Sequence, residues 1–133
     1  MCCSVPRGIQ TFGKEAPLTV TRGHIHDYLG MKIDYTTPGA VQIKMDEYVG
    51  NVLSETPSSL LEGRGHSTPA AHHLFEVNPD APKLDDDKAE TFHHLVAKLL
   101  YLSKRARPDI HLAVAFLCTR VQKPDEDDWK KLG

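Results

Sequence analysis

The sequence predicts an α+β fold: a small antiparallel β-hairpin sheet with a short helix, followed by a helical hairpin. Two patterns predict it. Apolar and polar residues alternate in the first half of the chain, which is typical of half-buried strands. In the last third, apolar residues recur every three or four positions, which is typical of amphipathic helices. The chain has 133 residues, 40% of them hydrophobic and 26% charged, which suits one modest packed domain.

The hairpin is predicted from two alternating segments. The first strand covers residues 26–35, and its apolar side carries Leu29, Met31, Ile33 and Tyr35. A Thr-Thr-Pro-Gly turn follows at 36–39, and the alternation returns over Val41–Met45. We therefore expect a hairpin with one apolar and one polar face. Helical spacing then predicts a short helix over 46–55 that lies across the apolar face.

Composition divides the chain into four parts. They are an irregular lead-in at 1–11, the hairpin and short helix at 12–56, a long loop at 57–89 and helices at 90–133. The loop contains four prolines, several glycines and the acidic triplet Asp85-Asp86-Asp87. A connection of this length is unusual inside a compact domain, so it indicates a boundary between a sheet-based part and a helical part.

The last part predicts two neighbouring amphipathic helices and the start of a third. The first apolar stripe comprises Phe92, Leu95, Val96, Leu99 and Leu102, and the second comprises Ile110, Ala113, Val114, Leu117, Cys118 and Val121. Pro108 breaks the chain between them because proline disfavours a helical residue before it and suits the first turn of the next helix. The acid-rich stretch from Asp125 predicts a third helix. We expect that helix to be cut short at Gly133, as in a piece of a larger protein.

Several functional classes are excluded by composition. No apolar run approaches the roughly 18 residues that a spanning helix needs, and no signal peptide is evident, so an intracellular protein, cytoplasmic or nuclear, without membrane contact is expected. The net charge of −2 gives no global basic field. The three cysteines form no metal-binding or disulfide pattern.

The sequence offers weak candidates for a metal site and none for catalysis. Its eight histidines include the groups His24-x-His26, His72-His73 and His93-His94, none with the i, i+4 spacing of a helical zinc site. The only adjacent aspartates are at 85–87 and 127–128. A solvated loop and a helix N-terminal turn explain these better than a site for two metal ions. No residue is therefore assigned a catalytic or metal-binding role.

Basic residues concentrate between Lys98 and Lys123. Six of them face one acid, a local excess of +5, and they are Lys98, Lys104, Arg105, Arg107, Arg120 and Lys123. On a helical projection, His93, Ala97, Tyr101 and Lys104 share the face opposite the apolar stripe. A small residue between a ring and a basic side chain lets a helix approach a nucleic-acid backbone closely. The alternative is an ordinary solvated helix face.

Several segments together resemble the reverse transcriptase of Ty1/copia-type retrotransposons. They are Asp27-Tyr-Leu-Gly-Met-Lys-Ile-Asp34, Thr68-Pro69-Ala, Lys83-Leu-Asp85, the stretch Phe92–Ile110 and Ala113-Val-Ala115. The resemblance runs from about Phe12 to the end of the chain. Its most specific part is Leu-Val-Ala-Lys-Leu-Leu-Tyr-Leu followed by Lys-Arg-Ala-Arg-Pro-Asp-Ile, a basic break between two apolar helices.

The resemblance implies the carboxy-terminal part of an RNA-directed DNA polymerase, the palm end plus the thumb, and so an incomplete reverse-transcriptase fold. The family's Tyr/Phe-Val-Asp-Asp motif is absent, so no cofactor is expected here and Mg²⁺ only in the complete polymerase. The hairpin Tyr28–Met45 is similar to a primer grip, and the helix from about Glu90 to Arg105 is similar to the first thumb helix. The implied partners are an RNA/DNA template-primer duplex and the rest of the polyprotein, with its fingers, catalytic palm and ribonuclease H.

The expected nucleic-acid-binding residues combine both lines of reasoning. They are His93, Ala97, Tyr101, Lys104, Lys98, Arg105, Arg107, Lys32 and Lys44. Two other interpretations stay open. The chain could be an inactive retrotransposon relic with no biochemical activity, or, ranked last, a small histidine-based metal-binding module.

Overall fold

The computed structural model describes residues 21–63, 67–70 and 72–133. The predicted lead-in at 1–11 and the residues 12–20 that follow it lie outside these ranges. The described chain is α+β, with a three-stranded antiparallel sheet followed by several helices.

The sheet consists of β1 (Ile25–Tyr28), β2 (Met31–Asp34) and β3 (Gln42–Lys44), in that order. Ile33 of β2 lies opposite His26 on one side and opposite Ile43 on the other. Because side chains alternate along a strand, this row and its i±2 neighbours form one largely apolar face. The predicted separation into an apolar and a polar face is confirmed.

The prediction of a single strand over 26–35 is wrong, because the chain reverses inside it. A two-residue turn at Leu29-Gly30 joins β1 to β2, with Tyr28 paired to Met31. Both turn residues have positive φ, 51° at Leu29 and 76° at Gly30. That geometry matches the primed turns that favour tight hairpins, and glycine adopts it without strain.

Helix α1 covers Asp46–Glu55, as predicted, but it does not lie across the apolar sheet face. Tyr28 and Ile43 on that face remain 59% and 44% exposed. Helix α1 instead packs on the long helix α3 (Asp86–Arg105) and buries Val52. The short helix therefore stabilises the helical part of the molecule more than the sheet.

The connection at 57–89 is more ordered, over its described residues, than the predicted loop. It contains a one-turn helix α2 (Ser58–Leu61), a buried Leu74 and a backbone bridge between Lys83 and Asp125. Helix α3 also begins earlier than predicted. The Asp85 side chain accepts a hydrogen bond from the Lys88 N–H and caps it, so the acidic triplet starts a helix rather than belonging to a solvated loop.

The core lies between α3, α4 (His111–Arg120) and α5 (Glu126–Leu132). Its buried centre is Phe92, Val96, Leu117 and Trp129. A 3₁₀ turn at Pro108–Ile110 makes the short connection between α3 and α4. Both predicted stripes therefore face inward as expected, and the acid-rich stretch does begin a third helix. Within the described ranges, no helix is long and apolar enough to span a membrane.

Candidate nucleic-acid interface

The outer face of α3 carries three of the predicted binding residues. His93, Ala97 and Lys104 are exposed, on the side of the helix opposite the buried stripe. The opposite side is held against the core because Phe92 and Val96 are almost fully enclosed. Lys104 also lies in the last turn of α3, where a positive charge is favoured by the helix dipole. These three residues form what we call the α3 ridge.

Tyr101 occupies the edge of this face but its hydroxyl is used within the chain. The hydroxyl donates a hydrogen bond to the carbonyl oxygen of Leu29 in the β1–β2 turn. Its ring lies against Tyr48 of α1, with centroids 5.2 Å apart, and the Arg105 guanidinium sits 3.8 Å from its ring centroid. Tyr101 and Arg105 thus make intramolecular contacts at the place where the sequence predicted contacts to nucleic acid.

Two other predicted cations are paired with acids. Lys98 forms an ion pair with Glu55 at the end of α1. Arg107 donates two hydrogen bonds to the Asp109 carboxylate, from Nε to Oδ1 at 2.9 Å and from Nη2 to Oδ2 at 2.8 Å. The hydrogen bond from Arg107 lowers the pKa of the Asp109 carboxyl below its ordinary value. The excess of +5 therefore overstates the free positive charge, because Glu55, which lies outside the counted segment, pairs with Lys98, whereas Asp109 is the acid already subtracted.

Arg120, which the local charge count included, belongs to a buried network. Its guanidinium contacts Asp128 at 3.0 Å and Asp125 at 3.1 Å, and these side chains are only 2% and 8% exposed. The hydrogen bond to Asp128 raises the pKa of Arg120 above its usual value. Asp125 and Asp128 also form a capping box at the start of α5. Arg120 therefore joins α4 to α5 and is not part of a binding surface.

The polar face of the sheet carries the two hairpin lysines. Lys32 and Lys44 lie directly opposite each other on β2 and β3, and Asp27 lies opposite Lys32 on β1. Among the described residues, neither lysine forms an ion pair. Like charges directly opposite on neighbouring strands are unfavourable, and here Asp27 opposite Lys32 and Asp34 near Lys44 offset part of that repulsion.

A shallow cavity of about 260 Å³ lies beside the hairpin lysines, at the start of α1. Its lining includes Lys32, Lys44, Asp27, Asp46 and Glu47. The mixed charge makes it unsuited to a strongly anionic small ligand. The two lysines therefore lie at the rim of a cavity whose other charged lining residues are acidic.

The described residues offer no group of three or more His, Cys, Asp or Glu side chains placed to hold a metal ion. The adjacent aspartates have structural roles instead. Asp85 caps α3, and Asp86 and Asp87 lie in its first turn. Asp127 and Asp128 lie in the first turn of α5, as predicted. The histidine-based metal module consequently receives no support from the geometry.

Comparison with known proteins identifies no relative. No protein-family model matches the chain, and neither a curated protein nor a solved structure is significantly similar to it. The features of the structure that bear on function are therefore the α3 ridge, the hairpin lysines and the contact between α3 and the β1–β2 turn.

The structure separates the nine predicted binding residues into two groups. An exposed group comprises His93, Ala97, Lys104, Lys32 and Lys44. An internally engaged group comprises Tyr101, Lys98, Arg105 and Arg107. Tyr48 was not predicted from the sequence. Its hydroxyl donates a hydrogen bond to the Lys98 carbonyl oxygen at 3.2 Å, and partial burial raises the pKa of Tyr48. A tyrosine on the first helix gives no pattern from which its distant partner could be identified.

Proposed function

We propose that this chain is the template-primer-gripping part of a Ty1/copia-type reverse transcriptase and binds a nucleic-acid duplex without catalysing polymerisation. The proposal combines the resemblance over Phe92–Ile110 with the exposed α3 ridge. In this assignment α3 and α4 form a thumb-like helical hairpin and β2–β3 form a primer-grip-like hairpin.

The α3 ridge is the observation that carries the proposal. Ala97 lies between His93 and Lys104 on one exposed helix face, so the backbone of α3 is accessible where the side chain is smallest. Lys104 supplies a charge for a phosphate, and His93 supplies a ring and a hydrogen-bonding group. A surface of this kind recognises phosphate and sugar rather than base sequence.

The hairpin lysines support the same function. Lys32 and Lys44 are exposed and lie opposite each other on β2 and β3, so a phosphate that binds both offsets the repulsion between the two charges. Two separated basic patches match an extended polyanion better than a small ligand. Binding is therefore expected to be independent of sequence and strongly dependent on salt.

Polymerisation needs paired carboxylates that hold two divalent ions. The adjacent aspartates at 85–87 and 127–128 serve helix N-termini. We therefore expect no primer extension by the purified chain with Mg²⁺ and nucleotides. Extension of a labelled primer by the purified chain would contradict the assignment of a non-catalytic grip.

Binding is tested by fluorescence anisotropy with a labelled RNA/DNA hybrid duplex in low salt. Lys104→Glu is expected to weaken the affinity about fivefold, because it replaces a phosphate contact by a repulsion. The matched control is Lys130→Glu on α5, which makes the same change in net charge at a side chain that is 75% exposed. Equal affinities for wild type, Lys104→Glu and Lys130→Glu would mean that the α3 ridge is an ordinary solvated helix face that does not contact the duplex.

One observation favours the inactive relic as a second candidate. Lys98 and Arg120 have acidic partners outside the counted segment, namely Glu55, Asp125 and Asp128, so much of the local basic excess is already neutralised. A relic folds but has no duplex affinity above that of the reversed-charge variants. The anisotropy titration of the wild-type chain distinguishes the two candidates directly.

A further inference from the structure

The tip of the β1–β2 hairpin is fastened to the helices by a small set of contacts. The Tyr101 hydroxyl donates to the Leu29 carbonyl oxygen, and a Cβ atom placed at Gly30 would lie 3.6 Å from the Tyr48 ring. Tyr48 in turn bonds to the Lys98 carbonyl oxygen on α3. We call Leu29, Gly30, Tyr48 and Tyr101 the hairpin latch.

The latch matters because the sheet has little other support. Its strands pack mainly against one another, and apolar side chains on or next to it remain 44–59% exposed, among them Tyr28, Tyr35, Val41 and Ile43. A small sheet without a packed face is marginally stable in water. The orientation of the hairpin relative to α3 thus depends strongly on the contacts at its tip.

The backbone at Leu29 supports a positional role for the latch. Leu29 has φ of 51°, a left-handed conformation that is unfavourable for a leucine, and its side chain is 62% exposed. The peptide carbonyl between the two turn residues has no partner in the strand ladder of a two-residue hairpin. The Tyr101 hydroxyl supplies that partner, so the turn that contains the strained Leu29 backbone is held by a hydrogen bond from α3.

We propose that Tyr101 is a positioning residue that holds the hairpin against α3, so that the hairpin lysines and the α3 ridge bind the same duplex together. This inference rests on the proposed function. Two weak patches held in a fixed arrangement bind one extended ligand more tightly than two patches joined flexibly, because less conformational freedom is lost when the second patch binds. Tyr101 then strengthens binding through Lys32 and Lys44 and not through contact with the duplex.

Tyr101→Phe tests the latch because it removes only the hydroxyl and keeps the ring on Tyr48. We expect duplex affinity to fall about fivefold, as the loss of one hydrogen bond allows. The same substitution in a Lys32→Gln/Lys44→Gln background is expected to leave affinity unchanged, since there is no second patch left to orient. An equal loss in both backgrounds would overturn the proposal, because it would mean that Tyr101 contacts the duplex itself.

A second measurement does not depend on nucleic acid. Amide hydrogen exchange in the free protein is expected to be faster by several-fold in Tyr101→Phe at His26 and Ile33, which pair in the β1–β2 ladder, and unchanged at Val96 in the core of α3. Unchanged exchange at the hairpin amides would overturn the latch whatever the binding data. If the wild type binds no duplex while hairpin exchange still rises, the proposed function fails and the structural role of the latch stands.

Discussion

The helical region and the three-stranded sheet differ in how completely their apolar side chains are buried. In the helical region, Phe92, Val96 and Leu117 are buried almost completely, and the described residues contain no buried side-chain nitrogen or oxygen without a hydrogen-bond partner. In the sheet, Tyr28 and Ile43 are 59% and 44% exposed, although Met45 between β3 and α1 is buried. The helices therefore form most of the core, whereas the sheet is held mainly by its own ladder, by the latch and by Met45 at its junction with α1.

This difference matches the separate roles that we propose for the α3 ridge and the hairpin lysines. A rigid helix presents the α3 ridge at a fixed place because its other side is part of the core. The hairpin lysines lie on an element whose tip accepts a hydrogen bond from Tyr101, which we propose sets its position. Variants in the two regions should therefore separate global stability from duplex binding.

The largest effect is expected from Phe92→Ala. Phe92 is completely buried at the centre of the helical core, and truncation of such a ring typically costs about 4 kcal/mol of the free energy of unfolding. Urea unfolding followed by circular dichroism measures the change. The matched control is Ile43→Ala on the sheet, expected to cost less than about 1.5 kcal/mol because Ile43 is half exposed already. Similar losses at the two sites would mean that the sheet has a core of its own.

A smaller but still large effect is expected from Arg120→Met. The methionine keeps much of the side-chain volume but leaves Asp125 and Asp128 without their counter-ion in a buried place, which should cost about 3 kcal/mol. The control Arg107→Met breaks an exposed pair with Asp109 and should cost about 0.5 kcal/mol. Thermal unfolding of both variants gives the comparison. If Arg120→Met proved as mild as its control, the α4–α5 network would not be a determinant of stability.

The smallest change is expected to stabilise the protein. Leu29→Asn creates an Asn-Gly turn, the pair that suits two successive positive φ angles, and it removes the strain of a left-handed leucine. We expect a gain of about 1 kcal/mol, since the exposed leucine side chain contributes little packing. The readout is the urea midpoint together with hydrogen exchange at the hairpin. A loss of stability would show that the Leu29 side chain, and not only its carbonyl group, holds the hairpin in place.

The sequence predicted the parts of the fold that depend on local pattern. The stripes containing Phe92 and Leu117 predicted α3 and α4, and the acid-rich stretch from Asp125 predicted α5, because amphipathic spacing and capping residues act within a few positions. The β1–β2 turn was missed because Leu29 continues the apolar alternation, and only Gly30 marks the reversal. Gly30 is a weak signal, since a single glycine also occurs inside strands.

The candidate site was predictable only in part, for a physical reason. The exposure of His93, Ala97 and Lys104 follows from helical periodicity, because the stripe on the other side must be buried. The partners of Lys98 and Tyr101 could not be inferred in the same way. Glu55 and Leu29 are distant along the chain from the residues they contact, and a local count of charges contains no information about such contacts.

The most direct test of the account is the salt dependence of duplex affinity. If Lys32, Lys44 and Lys104 each neutralise one phosphate, the logarithm of the association constant should fall with the logarithm of salt concentration with a slope of about −2.7. A Lys32→Gln/Lys44→Gln/Lys104→Gln variant is predicted to bind weakly with a slope near zero, while Lys130→Gln keeps the wild-type slope. A triple variant that retained the wild-type slope would contradict the claim that the hairpin lysines and the α3 ridge meet the duplex.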